Sequence, residues 1–401
     1  MRSPIVAVLI AAMLVVSLPL LAQDYKSFTA ITHAIANVTP ASAQKLWSDL
    51  LAMESIPLVR EDSVAFLYKG EAKTVAWMGD FNGWGYDKKF NNKGKRIAGT
   101  DIWMLKARFP RDARLDYKIV IDDINWILDP LNPDQQWSGV GGGSPNTELR
   151  MPYWKEDPIT SSLIAGAKRG RVEKDVLLKS EVLGYQLSYS VYLPPDYNQR
   201  DVYPVIYITD GYEYMHEQMG NIVVILDNLI HLKKIKPVVA VLIDHREPAV
   251  RSNNRRMREL AMNSNYLTFV TDELIPAVEH KYTVSTDPAQ RAILGTSMGG
   301  LTAAYFAFSK PDIFGLAGIQ SPAFWFKPDI YTFCDNPTKP PVKTFLTTGR
   351  INDTEEGAVR MRNLLEKNTC TFEFREVNQG HSWGNWRDLT DDILIYFFPV
   401  N

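Results

Sequence analysis

Cysteine is scarce in this chain. Its 401 residues include two, Cys334 and Cys370, with no C-x-x-C pair and no His/Cys cluster, a pattern that argues against a structural zinc site. The two thiols fit either one disulfide in an oxidising compartment or two buried free side chains. An excess of one charge is also missing. Lys and Arg number 44 against 46 Asp and Glu, a formal net charge of -2, without the basic footprint of a nucleic-acid-binding protein. Long apolar runs are confined to the N-terminus. Residues 1–22 read as a secretory signal, with a basic start at Arg2, an apolar stretch over 5–16 and a cleavage end in Pro19-Leu20-Leu21-Ala22. Position 23 is Gln, not Cys, so no lipid anchor is indicated. An uncleaved anchor is the alternative, but the run is short for a membrane span. The expected location is periplasmic or secreted, with no stable membrane insertion after signal removal.

What is present is enough chain for two domains. Residues 23–60 read as a helical lead-in, in which Leu46, Leu50 and Leu51 recur at helical spacing. From 61 to 152 the pattern changes to short apolar runs at 64–68, 74–78, 102–105 and 117–121, separated by turn residues such as Lys69-Gly70 and Asn91-Asn92-Lys93-Gly94. Strands at this spacing predict a small all-β sandwich. A glycine-rich loop at 136–147 carries no Lys-Ser/Thr after it, which argues against a phosphate cradle. From 165 to 401, apolar runs of strand length (205–209, 238–243, 292–294, 316–319, 342–346 and 372–377) alternate with amphipathic helical patterns. Runs apolar throughout predict a parallel sheet covered on both faces, an α/β domain. Pro276, inside one helical pattern, is expected to kink it.

The most informative stretch is Gly295-Thr296-Ser297-Met298-Gly299-Gly300. G-x-S-x-G occurs by chance, and Gly-Gly is a common turn. Here an apolar strand runs in and a small-residue helix runs out, which is the setting of a nucleophile elbow. The strained turn crowds the positions two residues either side of the serine, and both are glycine. A nucleophilic serine needs a base and a group that orients it. Of six histidines only His381 lies past the last expected strand, in Gly380-His381-Ser382-Trp383. The acid is expected after the run 342–346, where Asp353, Glu355 and Glu356 are available. Glu355 and Glu356 suit the first turn of the next helix. Asp353 precedes it, so it is the candidate acid, although the same position suits an N-cap. Oxyanion donors are expected from the Met298 N–H and from a backbone N–H at Gly211 or Tyr212, after the run 205–209. Asp210 reads as a brace of that loop. Trp325, Trp383 and Trp386 are candidates to stack an aromatic acyl group, and Arg258, with Arg255, Arg256, Arg350 and Arg387, to receive an anionic one. Solvated surface arginines are the plainer reading.

Two sets of residues carry a family resemblance. Gly79-Asp80-Phe81-Asn82-Gly83-Trp84 and Asp129-Pro130-Leu131-Asn132-Pro133 resemble the immunoglobulin-like module at the N-terminus of isoamylases, branching enzymes and enterochelin esterases. That likeness makes Trp84, Trp103 and Trp126 candidates for sugar stacking, against their being core aromatics. Leu193-Pro194-Pro195-Asp196-Tyr197, Thr209-Asp210-Gly211, Arg258-Glu259-Leu260, Gln320-Ser321 and Gly380-His381, with the serine motif, resemble the esterase family that holds esterase D, feruloyl esterases and enterochelin esterases. The resemblance implies an α/β-hydrolase fold and a metal- and cofactor-free Ser/His hydrolase of carboxylic esters, with Ser297 and His381 as its site. Asp353 carries over as the acid, whose position varies in that group. The expected partner is a small-molecule or glycan-linked ester, with polysaccharide contact through the sandwich. The alternatives are an exported carbohydrate-binding protein on a hydrolase scaffold, and an acyltransferase using the same serine.

Overall fold

The computed structural model describes residues 27–141, 143–334 and 341–400; the expected signal at 1–22 lies outside them. Two helices open the described chain, Phe28–Ala36, capped by the Ser27 side chain, and Pro40–Met53, started by its proline. Ile31, Ile35, Trp47 and Leu50 on these helices bury against Leu58, Ala65, Leu67, Ile102 and Met104.

Those partners belong to an antiparallel sheet of Leu58–Arg60, Ser63–Lys69, Ile102–Arg108 and Lys95–Arg96. A second antiparallel sheet faces it, with Val75–Gly79, Arg114–Ile121, Ser144–Arg150 and Gln135–Ser138 in that order. Strand Ser63–Lys69 is buried on both faces because its alternate residues serve different neighbours. Val64 and Phe66 enter the core between the sheets with Trp77, Leu105 and Tyr117, while Ala65 and Leu67 meet the helices. Of the tryptophans considered for sugar stacking, Trp103 is buried and donates to the Gly70 carbonyl at 3.2 Å, so it is a core residue. Trp84 is half-buried and donates to Asp80, and Trp126 is 47% exposed.

The C-terminal part is built on eight strands: β1 (Arg171–Lys179), β2 (Gln186–Leu193), β3 (Val205–Ile208), β4 (Val239–Asp244), β5 (Arg291–Thr296), β6 (Leu316–Gln320), β7 (Lys343–Gly349) and β8 (Phe372–Val377). They lie in the order β1-β2-β4-β3-β5-β6-β7-β8. The β1–β2 and β2–β4 pairs are antiparallel; every later pair is parallel. Alternate residues again divide between two layers. Tyr207, Val241, Ile293 and Ile319 pack with helix Met298–Ser309 on one face, and Ile206, Leu242, Leu294 and Phe345 with helices Ile222–His231 and Thr390–Phe397 on the other. The helical pattern around Pro276 forms with a π-turn over Phe269–Leu274 just before the proline, where a wider turn relieves the clash and missing donor that proline brings. Among the described residues no helix is long and apolar enough to cross a membrane.

The β-module is joined to the α/β domain by buried charge. Arg114 is fully buried and donates to Asp116 at 2.9 Å, to Glu148 at 2.6 Å and, across the junction, to the Ser382 hydroxyl at 3.3 Å. Burial pushes the Asp116 carboxyl up to about 6, against the pull of Arg114. Removing one member of a buried ionic group leaves the others uncompensated, at a cost of about 3–5 kcal/mol. Arg114→Ala is therefore expected to lower the unfolding free energy of the full chain, read from urea titration, by that amount. A loss below about 1 kcal/mol would show that the junction does not depend on this guanidinium.

Candidate active site

The site lies at the C-terminal ends of the parallel strands. Ser297 follows β5 with φ 58° and ψ -115°, and helix Met298–Ser309 begins at the next residue. A positive φ is strained for a residue with a Cβ. The turn closes because its flanks have none. A Cβ on Gly295 would stand 2.3 Å from the Gly299 carbonyl oxygen, and one on Gly299 would stand 2.4 Å from Thr209 Oγ1. The Ser297 N–H donates to the Gln320 carbonyl at 2.9 Å, and its carbonyl accepts from Ala323 N at 2.9 Å and Leu301 N at 3.1 Å.

His381 stands on the loop after β8. Its Nε2 is 2.9 Å from Ser297 Oγ and its Nδ1 is 2.6 Å from Asp353 Oδ1. The carboxylate beside Nδ1 assigns the proton there and leaves the Nε2 lone pair to the serine hydroxyl. The Asp353 side chain is wholly buried, whereas His381 is 35% exposed. Asp353 Oδ2 accepts from the Gly349 N–H at 2.5 Å and the Ser321 hydroxyl at 2.6 Å. Trp386 meets the His381 ring edge-to-face at 4.9 Å. Of the three acids considered, Asp353 is the one at the histidine; Glu355 and Glu356 are exposed in the first turn of helix Glu355–Lys367.

The loop after β3 lies on the other side of the serine turn. Asp210 has φ 53° and starts the short helix Gly211–Met215. Arg256 holds both Asp210 oxygens, at 2.6 and 2.9 Å, and also donates to the Thr296 carbonyl at 3.3 Å. Gly211 must be glycine, since a Cβ would stand 2.4 Å from the Leu242 carbonyl carbon. Gly211, Tyr212 and Met298 each occupy the first turn of a helix, where N–H groups have no intrahelical acceptor.

The aromatic and basic candidates separate. Trp325 is 72% exposed, edge-on to Phe326, and lies two residues past Ala323, whose N–H holds the Ser297 carbonyl. Trp383 is 2% exposed, packs between Tyr214 and Trp386 and donates to the Gly139 carbonyl at 3.1 Å. This corrects its reading as a substrate contact, because the glycine-rich loop of the β-module covers it. Trp386 is likewise buried. Arg258 is exposed and stacks over the Tyr185 ring at 4.6 Å beside Arg255, so the inward arginine of this segment is Arg256. Arg350 pairs with Glu376, and Arg387 is half-buried beside Asp388. Ser321 was not legible as a partner of Asp353, because nothing local marks a serine that meets an acid 32 residues later.

The β-module reaches this site. The Asp80 carbonyl accepts from Asn352 Nδ2 at 3.0 Å, next to Asp353, and a Cβ on Gly380 would stand 2.4 Å from the Asp80 Cβ. On the side of the loop after β3, Gly141 N–H donates to Glu213 Oε1 at 2.5 Å.

Sheet order, a strained serine after β5 and a histidine after β8 define an α/β-hydrolase fold, here behind an N-terminal β-module. Residues 180–397 match the model of the Esterase family, described as Putative esterase, and the chain belongs to that family. Among curated relatives, iron(III) enterobactin esterase of Escherichia coli is 28% identical over 255 residues, 58% of this chain and 60% of that protein. The endo-1,4-beta-xylanase/feruloyl esterase of Xylanibacter ruminicola is 28% identical over 158 residues, 37% of this chain and 21% of that protein. The match thus spans about 60% of the length of the enterobactin esterase. The enterobactin esterase of Shigella flexneri, solved in the presence of enterobactin, shares the fold at a TM-score of 0.67 and 21% identity, over 83% of this chain and 92% of that one.

Glu213 gives the site region a pH dependence. Burial, and then the nearby Asp210, push its carboxyl up to about 7 from its ordinary 4.5. A raised carboxyl favours the fold below the unfolded value, and that contribution is lost as pH rises through the folded value. Glu213→Gln keeps an acceptor for Gly141 and cannot ionise. The melting temperature of the variant relative to wild type is expected to rise from pH 5 to pH 8; a constant difference would contradict it.

Proposed function

We propose that this chain is an exported serine hydrolase of carboxylic esters, acting through Ser297, His381 and Asp353. The observation that carries the reading is the continuous relay from Ser297 Oγ through His381 Nε2 and Nδ1 to Asp353 Oδ1, at 2.9 and 2.6 Å. In it, Ser297 Oγ attacks the ester carbonyl while His381 Nε2 takes its proton, and Asp353 steadies the imidazolium. The Met298 N–H and a backbone N–H at Gly211 or Tyr212 stabilise the oxyanion. His381 then gives its proton to the leaving alkoxide. Water, deprotonated by His381, attacks the acyl-enzyme and releases the acid and Ser297. Export rests on the signal-like composition of residues 1–22.

For substrate we infer esters of aromatic acids, carried by a siderophore or a feruloylated polysaccharide. Trp325 supports this reading as an exposed ring close to the serine turn. So do relatives named enterobactin esterase and feruloyl esterase. An aromatic contact of about 1 kcal/mol corresponds to roughly fivefold in affinity.

Hydrolysis of p-nitrophenyl acetate, methyl ferulate and a catecholate triester tests both levels. Ser297→Ala is expected to reduce kcat by at least about 10⁴-fold, and Asp353→Asn by about 10²–10⁴-fold. Full turnover by folded Ser297→Ala would overturn the reading. Trp325→Ala is expected to raise KM for methyl ferulate about fivefold and leave that for p-nitrophenyl acetate unchanged; an equal effect on both esters would remove Trp325 from acyl recognition.

A further inference from the structure

A second histidine–carboxylate pair lies behind the loop that carries Gly211 and Tyr212. His245 directly follows β4 and is 3% exposed. Its Nδ1 is 2.7 Å from Glu259 Oε2, and the other Glu259 oxygen accepts the Tyr185 hydroxyl at 2.9 Å. Its Nε2 is 3.2 Å from the backbone nitrogen of Asp210. The Asp210 N–H points at Nε2, which accepts it, and this leaves Nδ1–H to donate to the Glu259 carboxylate. The order of groups repeats that of Asp353, His381 and Ser297, with a backbone N–H in place of the serine hydroxyl.

That N–H belongs to a strained residue. Asp210 holds φ 53° and ψ 40°, a left-handed conformation that residues with a Cβ seldom adopt. The twist sets the direction of the next two peptide groups, those of Gly211 and Tyr212. Asp210 is gripped at two points. Arg256 holds the carboxylate and, through the Thr296 carbonyl, ties it to the residue before Ser297. His245 holds the backbone, and Tyr266 packs on its ring at 5.7 Å.

We propose that His245 is a positioning residue for ester hydrolysis: by accepting the Asp210 N–H it fixes the peptide groups that aim the second oxyanion donor. The inference rests on the reading of Gly211 or Tyr212 as that donor. Losing such a donor outright costs about 10²–10³-fold in kcat; misaiming it costs less, and the loss falls on kcat because the oxyanion exists only beyond the ground state.

Two amide side chains divide the two bonds of the imidazole. In His245→Asn, the amide nitrogen stands where Nδ1 stood and keeps the Glu259 bond, but nothing reaches Asp210. In His245→Gln, the amide oxygen stands where Nε2 stood and accepts the Asp210 N–H. With p-nitrophenyl acetate, H245N is expected to lose about tenfold in kcat with KM within twofold, and H245Q to stay within about threefold of wild type. Melting temperatures identify unfolded variants. Unchanged kcat in H245N overturns the inference. If H245N does not fold, a folded H245Q that loses tenfold in kcat overturns it as well. Ser297→Ala, assayed alongside, keeps the two readings apart: turnover there defeats the esterase reading itself, whereas inactive Ser297→Ala beside fully active H245N defeats only the role of His245.

Discussion

The backbone of Ser297 is the constraint on which the rest of the structure depends. A φ of 58° on a residue with a Cβ persists only where its surroundings over-determine it. Here they do so from three sides. β6 supplies the Gln320 carbonyl to the serine N–H, the following loop supplies the Ala323 N–H to its carbonyl, and Thr209, just past the end of β3, closes on Gly299. The turn is therefore a junction of three neighbouring strand ends. Any change that spreads β3, β5 and β6 relaxes it, however remote the change is from the hydroxyl.

The same logic extends outward. Asp353 is held by the end of β7 and by Ser321, the residue after β6. The loop facing it is held by Arg256 and His245, from the segment after β4. The β-module then braces three segments from outside: Asp80 lies against Gly380 after β8 and Asn352 after β7, and Gly141 bonds Glu213 after β3. Side chains in the cleft thus stand on backbone whose conformation is set by partners outside it, which is how a loop-built site is made rigid.

Much of this was legible in the sequence where the governing physics is local. Strands such as β3 and β4 stood out because a sheet covered on both faces leaves few polar interruptions. Ser297 stood out because crowding forces glycine at 295 and 299. His381 and Asp353 followed from chain order, and the fold joins Ser297, His381 and Asp353 in one line of hydrogen bonds. What was not legible depends on packing between distant segments. Trp383, beside His381 in sequence, reads as a stacking surface for an aromatic acyl group, but a loop some 240 residues earlier buries it. Arg256 and Arg258 are equivalent as letters; the phase of a five-residue helix turns one toward Asp210 and the other onto Tyr185. Ser321 and His245 carry no local mark at all, since each is defined by an atom that only the finished fold places near it.

The contact between Arg114 and the loop of His381 bears on how such a chain can change. A Cβ on Gly384 would stand 2.1 Å from the guanidinium carbon of Arg114. No unusual φ explains this glycine; the arginine of the preceding module occupies the space. The smallest residue of the segment beside His381 is thus dictated by a side chain that belongs to a different layer of the molecule. Recombination that exchanged the module alone would leave a hole at Gly384, and a larger residue introduced there first would bar the module from docking. The two parts of the chain are a matched pair, able to diverge only by compensating steps on either side of their seam.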